Sequence, residues 1–238
     1  MGEPNKENEL GKKTEEGGGE TAAAGDPTAT VTEEKSKKDA ENEEGAQPQD
    51  TIPGELLVKH PLQYRWVLWY CKQDKMKVWT ECLKEVAKFD TVEDFWALYN
   101  HIQLASGLSW SSDYYLFKEG IKPMWEDPTN VEGGRWVIFV DRNRRTEVLD
   151  NYWLELLMAM IGEQFEMHGE QVCGAVVNVR NKGDKVSLWT KDCASTDSIM
   201  RMGQIIKTKL GIVEPIRYEA HKDVSYRTSS VAKPLLSL

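Results

Sequence analysis

Cys173-Gly174-Ala175-Val176-Val177-Asn178-Val179-Arg180-Asn181-Lys182-Gly183-Asp184-Lys185-Val186-Ser187-Leu188-Trp189-Thr190 decides the architecture. Residues 174–180 and 185–190 are short runs rich in β-branched and apolar side chains. Between them, residues 181–184 join a glycine to two turn formers, the signature of a hairpin. Working upstream, residues 135–140 follow Gly133-Gly134 as another strand, and residues 113–117 as a shorter one. Residues 63–70 are aromatic and β-branched and predict a first strand, with a second over residues 76–82. Thr91 is placed to cap a helix whose first turn holds Glu93 and Asp94 and whose apolar face is Phe95, Leu98, Tyr99 and Ile102. Residues 151–162 read as a second helix that Gly162 can stop. Residues 195–210 read as a third, closed by Gly211, and residues 216–218 as a last strand. Strands joined by hairpins in places and by helices in others predict an α+β fold: a mainly antiparallel sheet with helices on one face, the other face open to a ligand.

Charge divides the chain. Residues 1–50 hold six basic and fourteen acidic side chains, a net −8, and no Trp, Tyr or Phe. Such a segment cannot bury enough apolar surface to offset its ordering entropy, so residues 1–52 are expected to be a disordered acidic tail that ends before Pro53-Gly54, with the folded domain over residues 53–238. The whole chain carries −9, which leaves −1 for residues 51–238. A nearly neutral domain does not suit a protein that coats long nucleic acid through a basic surface, but it permits a local basic pocket. The charged N-terminus does not read as a secretory signal, and no apolar run approaches the ~18 residues of a membrane span. Four cysteines without Cys-x-x-Cys spacing and four scattered histidines predict reduced, buried thiols, no structural zinc, and a cytoplasmic or nuclear location.

All nine tryptophans lie after residue 60. Trp66, Trp69, Trp136 and Trp153 sit inside strand or helix patterns and are expected in or beside the core. Trp125 lies instead in the proline-bracketed loop Ile121-Lys122-Pro123-Met124-Trp125-Glu126-Asp127-Pro128. An aromatic plate beside a carboxylate suits a purine with ring donors. Guanine presents N1–H and N2–H₂ along one edge, and Glu126 can accept from both, whereas adenine has no such pair. Arg180 and Lys185 stand at the two ends of a tight turn, where two cations meet at a sheet rim. A basic hairpin tip is ordinarily a solvated surface, and the pair of tryptophans that stand apart from the core patterns, Trp79 and Trp125, is what favours a phosphate site.

The stretches His60-Pro61-Leu62, Lys88-Phe89-Asp90-Thr91-Val92-Glu93-Asp94-Phe95-Trp96, Pro123-Met124-Trp125-Glu126-Asp127, Gly133-Gly134-Arg135-Trp136, Cys173 to Arg180 and Lys182-Gly183-Asp184-Lys185 resemble, in order and in spacing, the translation initiation factor 4E family. The likeness spans residues 58–221. It implies a curved eight-stranded antiparallel sheet with three helices on its convex back, and an mRNA cap bound in the concave slot. By the resemblance, Trp79 and Trp125 sandwich the methylated base, Glu126 reads guanine, and Trp189 packs near the base methyl. Arg180 and Lys185 hold the phosphates, with Arg135 and Lys182 outside them. The resemblance further implies a binding protein without catalytic residues, cofactor or metal.

The helices carry a second signal. Leu154, Met158 and Ile161 form a stripe beside Trp153, Leu156, Leu157 and Met160, more apolar surface than one core contact needs. A broad core face and an exposed groove fit this pattern equally. The resemblance implies the groove: His60, Pro61, Val92, Trp96, Leu154, Glu155 and Met158 match the family's docking surface. The partners implied there are the scaffold initiation factor 4G and 4E-binding repressors, through a helical Tyr-x-x-x-x-Leu-apolar motif, with this chain a monomer. Rival readings are a cap-binding repressor that does not recruit the scaffold and a cap-processing enzyme. No nucleophile–base pair, paired carboxylates or phosphate-cradling glycine loop supports the enzyme. Cys71 and Ser109-Trp110-Ser111 depart from the family pattern, and Ser229 and Ser230 lie where some relatives are phosphorylated.

Overall fold

The computed structural model describes residues 58–225 and 234–238. The acidic segment 1–52, Pro53-Gly54, and Ser229 and Ser230 lie outside the described residues. Eight strands make one curved, open sheet: β1 (Pro61–Lys72), β2 (Leu83–Thr91), β3 (Ser112–Lys118), β4 (Gly134–Val140), β5 (Val172–Val179), β6 (Asp184–Thr190), β7 (Arg217–Ala220) and β8 (Leu236–Ser237). Their order is β2-β1-β3-β5-β6-β4-β7-β8, with every neighbouring pair antiparallel. Three longer helices, α2 (Val92–Tyr99), α3 (Asp150–Ile161) and α4 (Thr196–Leu210), are joined by the single turns α1 (Trp79–Cys82) and α5 (His221–Ser225).

Strand alternation sorts the side chains between two apolar layers. Tyr114, Leu116, Ala175, Val177 and Leu188 point into the main core with Phe95, Leu156, Met160, Ile199 and Ile206 from the three longer helices. Tyr115, Phe117, Val176 and Trp189, one residue out of phase, form a smaller cluster on the other face, where Trp69, Trp79 and Trp125 pack partly buried. That face, expected to be open to a ligand, carries an aromatic floor, and β3 is buried along its whole length.

The β5–β6 hairpin closes as expected, with Asn178 opposite Lys185 and Gly183 at φ 136°, a backbone conformation L side chains rarely adopt. Thr91 caps α2, its Oγ1 accepting from the Asp94 N–H at 3.2 Å. Gly162 caps α3 in a right-handed conformation (φ −89°), while Gly211 caps α4 left-handed at φ 63°. Trp66, Trp136 and Trp153 are buried as expected, and Trp69 is half-buried.

Two expectations are corrected. The second strand does not cover residues 76–82: Trp79–Cys82 is one helical turn, and the strand runs over Leu83–Thr91. Asp74 explains part of this, since its carboxylate accepts from the Met76 N–H at 2.9 Å and turns the chain before a strand can start. Strand β8 was not anticipated. It pairs Leu236 with Tyr218 at the sheet's far edge.

Candidate functional site

The concave face holds a cavity of about 430 Å³ lined by Trp79, Tyr115, Trp125, Glu126, Trp189 and the cations Arg135, Arg180 and Lys185, among others. Two loops at opposite ends of the sheet bring the indoles there. Trp79 opens α1, just before β2, and meets Tyr115 edge-on, ring centroids 6.0 Å apart. Trp125 sits in the loop after β3. Asp127 accepts from the backbone N–H of Lys122 (3.0 Å) and of Thr129 (2.9 Å). Asn130 Nδ2 donates to the carbonyls of Lys122 and Met124, both at 2.9 Å. Residues on both sides of the loop thus fix its path, and Trp125 and Glu126 are left facing the cavity, Glu126 exposed.

Behind the floor, His221 packs against Trp189 with centroids 4.2 Å apart and the rings tilted by 50°. It is 1 % exposed, and its Nδ1 donates to the Asn130 carbonyl at 2.8 Å. Burial pushes its pKa down to about 4, so the ring is neutral.

The cationic end of the cavity is built around Asp113, 1 % exposed within β3. Its two oxygens accept from Arg180 Nη1 (2.5 Å) and Nη2 (3.0 Å), Asn178 Nδ2 (2.9 Å) and the Tyr115 hydroxyl (3.1 Å). Arg180 is thereby oriented, with its charge compensated by the Asp113 carboxylate. Arg135 is held likewise by Glu219, Nη2 to Oε2 at 3.0 Å, with its Cζ 5.9 Å from the Trp125 ring centroid. Lys185 makes no ion pair among the described residues. Burial pushes its pKa down and the Arg135 guanidinium adds to the effect. An anion arriving between these three cations would reverse that penalty. Lys182 sits apart, exposed at the hairpin tip and outside the cavity lining.

Sequence reasoning missed Asp113, Asn178, Tyr115 and His221. Asp113 left one trace, a carboxylate opening an aromatic strand, where a buried charge requires a partner.

On the helical side His60 and Pro61 are exposed beside the start of α2, the Val92 N–H donating to the His60 carbonyl at 2.9 Å. His60 Nδ1 also lies 2.6 Å from Glu93 Oε1. Val92 and Trp96, one turn apart on α2, are each 37 % exposed. Leu154, Glu155 and Met158 are half-buried on α3, with Leu154 and Met158 packed against the core's edge. Leu154 and Met158 therefore share core and surface roles.

The eukaryotic initiation factor 4E sequence profile matches residues 61–234. The chain belongs to that family. It is 63 % identical over 193 residues to translation initiation factor 4E-3 of Caenorhabditis elegans, an alignment covering 79 % of this chain and 77 % of that protein. Among solved structures, Ascaris suum 4E-3 in complex with an m2,2,7G cap superposes with a TM-score of 0.71 at 63 % identity, covering 76 % of this chain and 99 % of the other. The same protein with an m7G cap has the same TM-score and identity, covering 76 % and 98 %. The C. elegans 4E-3 complex with the 4E-binding protein Mextli and a cap analogue has a TM-score of 0.71 at 61 % identity, covering 76 % and 100 %. As in these family members, the sheet here is an open, curved one with helices on its back.

Proposed function

We propose that this chain binds the N7-methylated guanosine cap of mRNA between Trp79 and Trp125, and recruits the translation initiation scaffold through the α2–α3 face, acting by binding and not by catalysis. The observation that carries the reading is the composition of one cavity: three indoles, one exposed carboxylate and three cations. Methylation at N7 makes guanine cationic. Such a ring between two indole faces gains ~1–3 kcal/mol from stacking and about 2 kcal/mol more from desolvated cation–π attraction, and unmethylated guanine forfeits the latter. Glu126 accepts from N1–H and N2–H₂, each charge-assisted bond adding roughly 1.5–3 kcal/mol before desolvation. Arg180 and Lys185 face the triphosphate and Trp189 walls the methyl group. Arg135 stands beside Trp125, and Lys182 acts from outside.

The relatives solved with m7G and m2,2,7G caps support the ligand class, and the Mextli complex supports a 4E-binding partner for the helical face. A trimethylated cap keeps N1–H and loses both N2 donors. It is therefore expected to bind this chain more weakly than the monomethyl form, by about tenfold to about a hundredfold, the value of one such bond before desolvation. Titration of intrinsic tryptophan fluorescence with m7GTP tests the slot. Trp125→Ala and Glu126→Ala should each weaken binding by about tenfold or more with the far-ultraviolet circular dichroism unchanged. Unchanged affinity in both variants would refute the assignment.

A further inference from the structure

Trp96 and Trp110 are the exposed tryptophans among the described residues, and the proposed slot and docking face leave Trp110 without a task. It is 42 % exposed, two residues before β3. Register places its surroundings. Lys72 opposes Ser112, Ser112 opposes Val179, and Asp184 opposes Val140, so the ends of β1, β5 and β4 and the starts of β3 and β6 share one rim. This is the rim on which Arg180 ends its strand.

The indole is mounted firmly there. Ser111 adopts φ 64°, donates its N–H to the Val179 carbonyl at 3.0 Å and accepts from the Gln73 N–H at 2.9 Å. Lys72 Nζ donates to the Trp110 carbonyl at 2.8 Å. The Arg145 guanidinium lies 4.1 Å from the ring centroid and that of Arg142 5.5 Å. Arg145 is itself locked, bonded to both Asp184 oxygens and donating to the Arg180 carbonyl at 3.0 Å. One locked side chain therefore joins Trp110 to the residue proposed to meet the cap phosphates. Lys72, Arg142 and Lys182, all exposed on this rim, make no ion pair among the described residues. The neighbouring carboxylates Asp74 and Asp141 are engaged by backbone N–H groups of Met76 and Asn143.

We propose that Trp110, backed by Arg145 and flanked by Lys72, Arg142 and Lys182, is a stacking platform for the transcribed nucleotides beyond the first, as the RNA leaves the cap slot. The inference rests on the cap reading above. An exposed indole stacks any base, and unpaired cations along the rim draw the phosphates without reading sequence. Continuity with the phosphate end selects RNA over a protein partner as occupant.

The test compares full-length wild type, Trp110→Ala and Arg142→Ala by isothermal titration with three ligands: m7GpppA, GpppA and a capped octanucleotide. Wild type should hold the octanucleotide at least about fivefold more tightly than m7GpppA. Trp110→Ala should abolish that increment and leave m7GpppA unchanged. Trp110→Phe should keep most of it. Arg142→Ala should lower the slope of affinity against salt by about one phosphate's worth. Wild type that prefers m7GpppA to GpppA but gains nothing from the added nucleotides overturns the platform alone. So does a Trp110→Ala that weakens m7GpppA and the octanucleotide equally, or one that spares both and loses a bound repressor protein. Wild type that holds m7GpppA no better than GpppA overturns the slot and the platform with it.

Discussion

Asp113 accepts from three side chains inside the sheet, and each of them borders the slot. Asp113→Ala would strand the Arg180 guanidinium, 30 % exposed, without its counter-ion. Removing one partner of a fully buried pair costs ~3–5 kcal/mol, and the solvent still reaching Arg180 brings the expected loss to about 2–3 kcal/mol in urea unfolding. Triphosphate-bearing cap analogues should lose more affinity than the m7G nucleoside, which does not reach Arg180, and equal losses would contradict this anchoring role. His221 supplies the pH dependence. Its folded pKa, about 4, lies below the ~6.5 of an unfolded histidine, so between these values the unfolded chain binds more protons. Stability is whole above pH ~6.5 and declines as pH falls toward 4, by on the order of 2–3 kcal/mol. Unfolding at pH 7 and 4.5 should show the drop, and His221→Gln should flatten it; a drop of the same size in that variant removes His221 as its source. Trp125, Glu126, Arg180 and Lys185, which line the cavity, were legible in the sequence because their chemistry is unusual where they stand, an indole and an acid in a polar loop and two cations across a turn, whereas Trp79, Trp189 and Arg135 came from the family resemblance. Their supports were not legible. Asp113 and Arg180 are 67 residues apart, and local pattern carries no sign of that pairing.

At the level of elements, the hairpin was readable because turn chemistry and strand pattern agree over one short span. Strand β2 was not, for a physical reason. It lies at the sheet edge beside β1 alone, and its Lys84, Glu85 and Lys88 are exposed. Edge strands keep charge to discourage pairing with other chains, which erases the alternation that reveals a strand. The hairpin's turn also ties element to site. A Cβ at Gly183 would meet the Val140 carbonyl at 3.2 Å, on a backbone already at φ 136°. Gly183→Ala should therefore destabilise by about 1–3 kcal/mol. Because the turn sets Arg180 against Lys185, it should also weaken triphosphate-bearing cap analogues. A thermal midpoint equal to wild type would show that the turn relaxes freely.

Across the whole molecule the sheet separates two surfaces, the slot floor and the helix-backed core. The α+β class and the three longer helices followed from periodicity. That the ligand face is itself apolar did not, since alternation cannot distinguish water from a second hydrophobic layer on the far side. Separation of the surfaces makes a prediction: Trp96→Ala should abolish capture of scaffold factor in a pull-down while m7GTP titration stays within twofold of wild type, as expected for distant sites. Retained capture would remove Trp96 from the docking face.

Strand β3 divides its side chains between those layers, Tyr114 and Leu116 to one, Tyr115 and Phe117 to the other. A bound nucleotide would lie on the second set and shut off the path by which solvent reaches the middle of the sheet. Deuterium uptake at the amides of β3 and β5 should then slow in an occupied protein, far beyond the residues that touch the base. Occupancy would be recorded in the protein's rigidity as well as in its fluorescence.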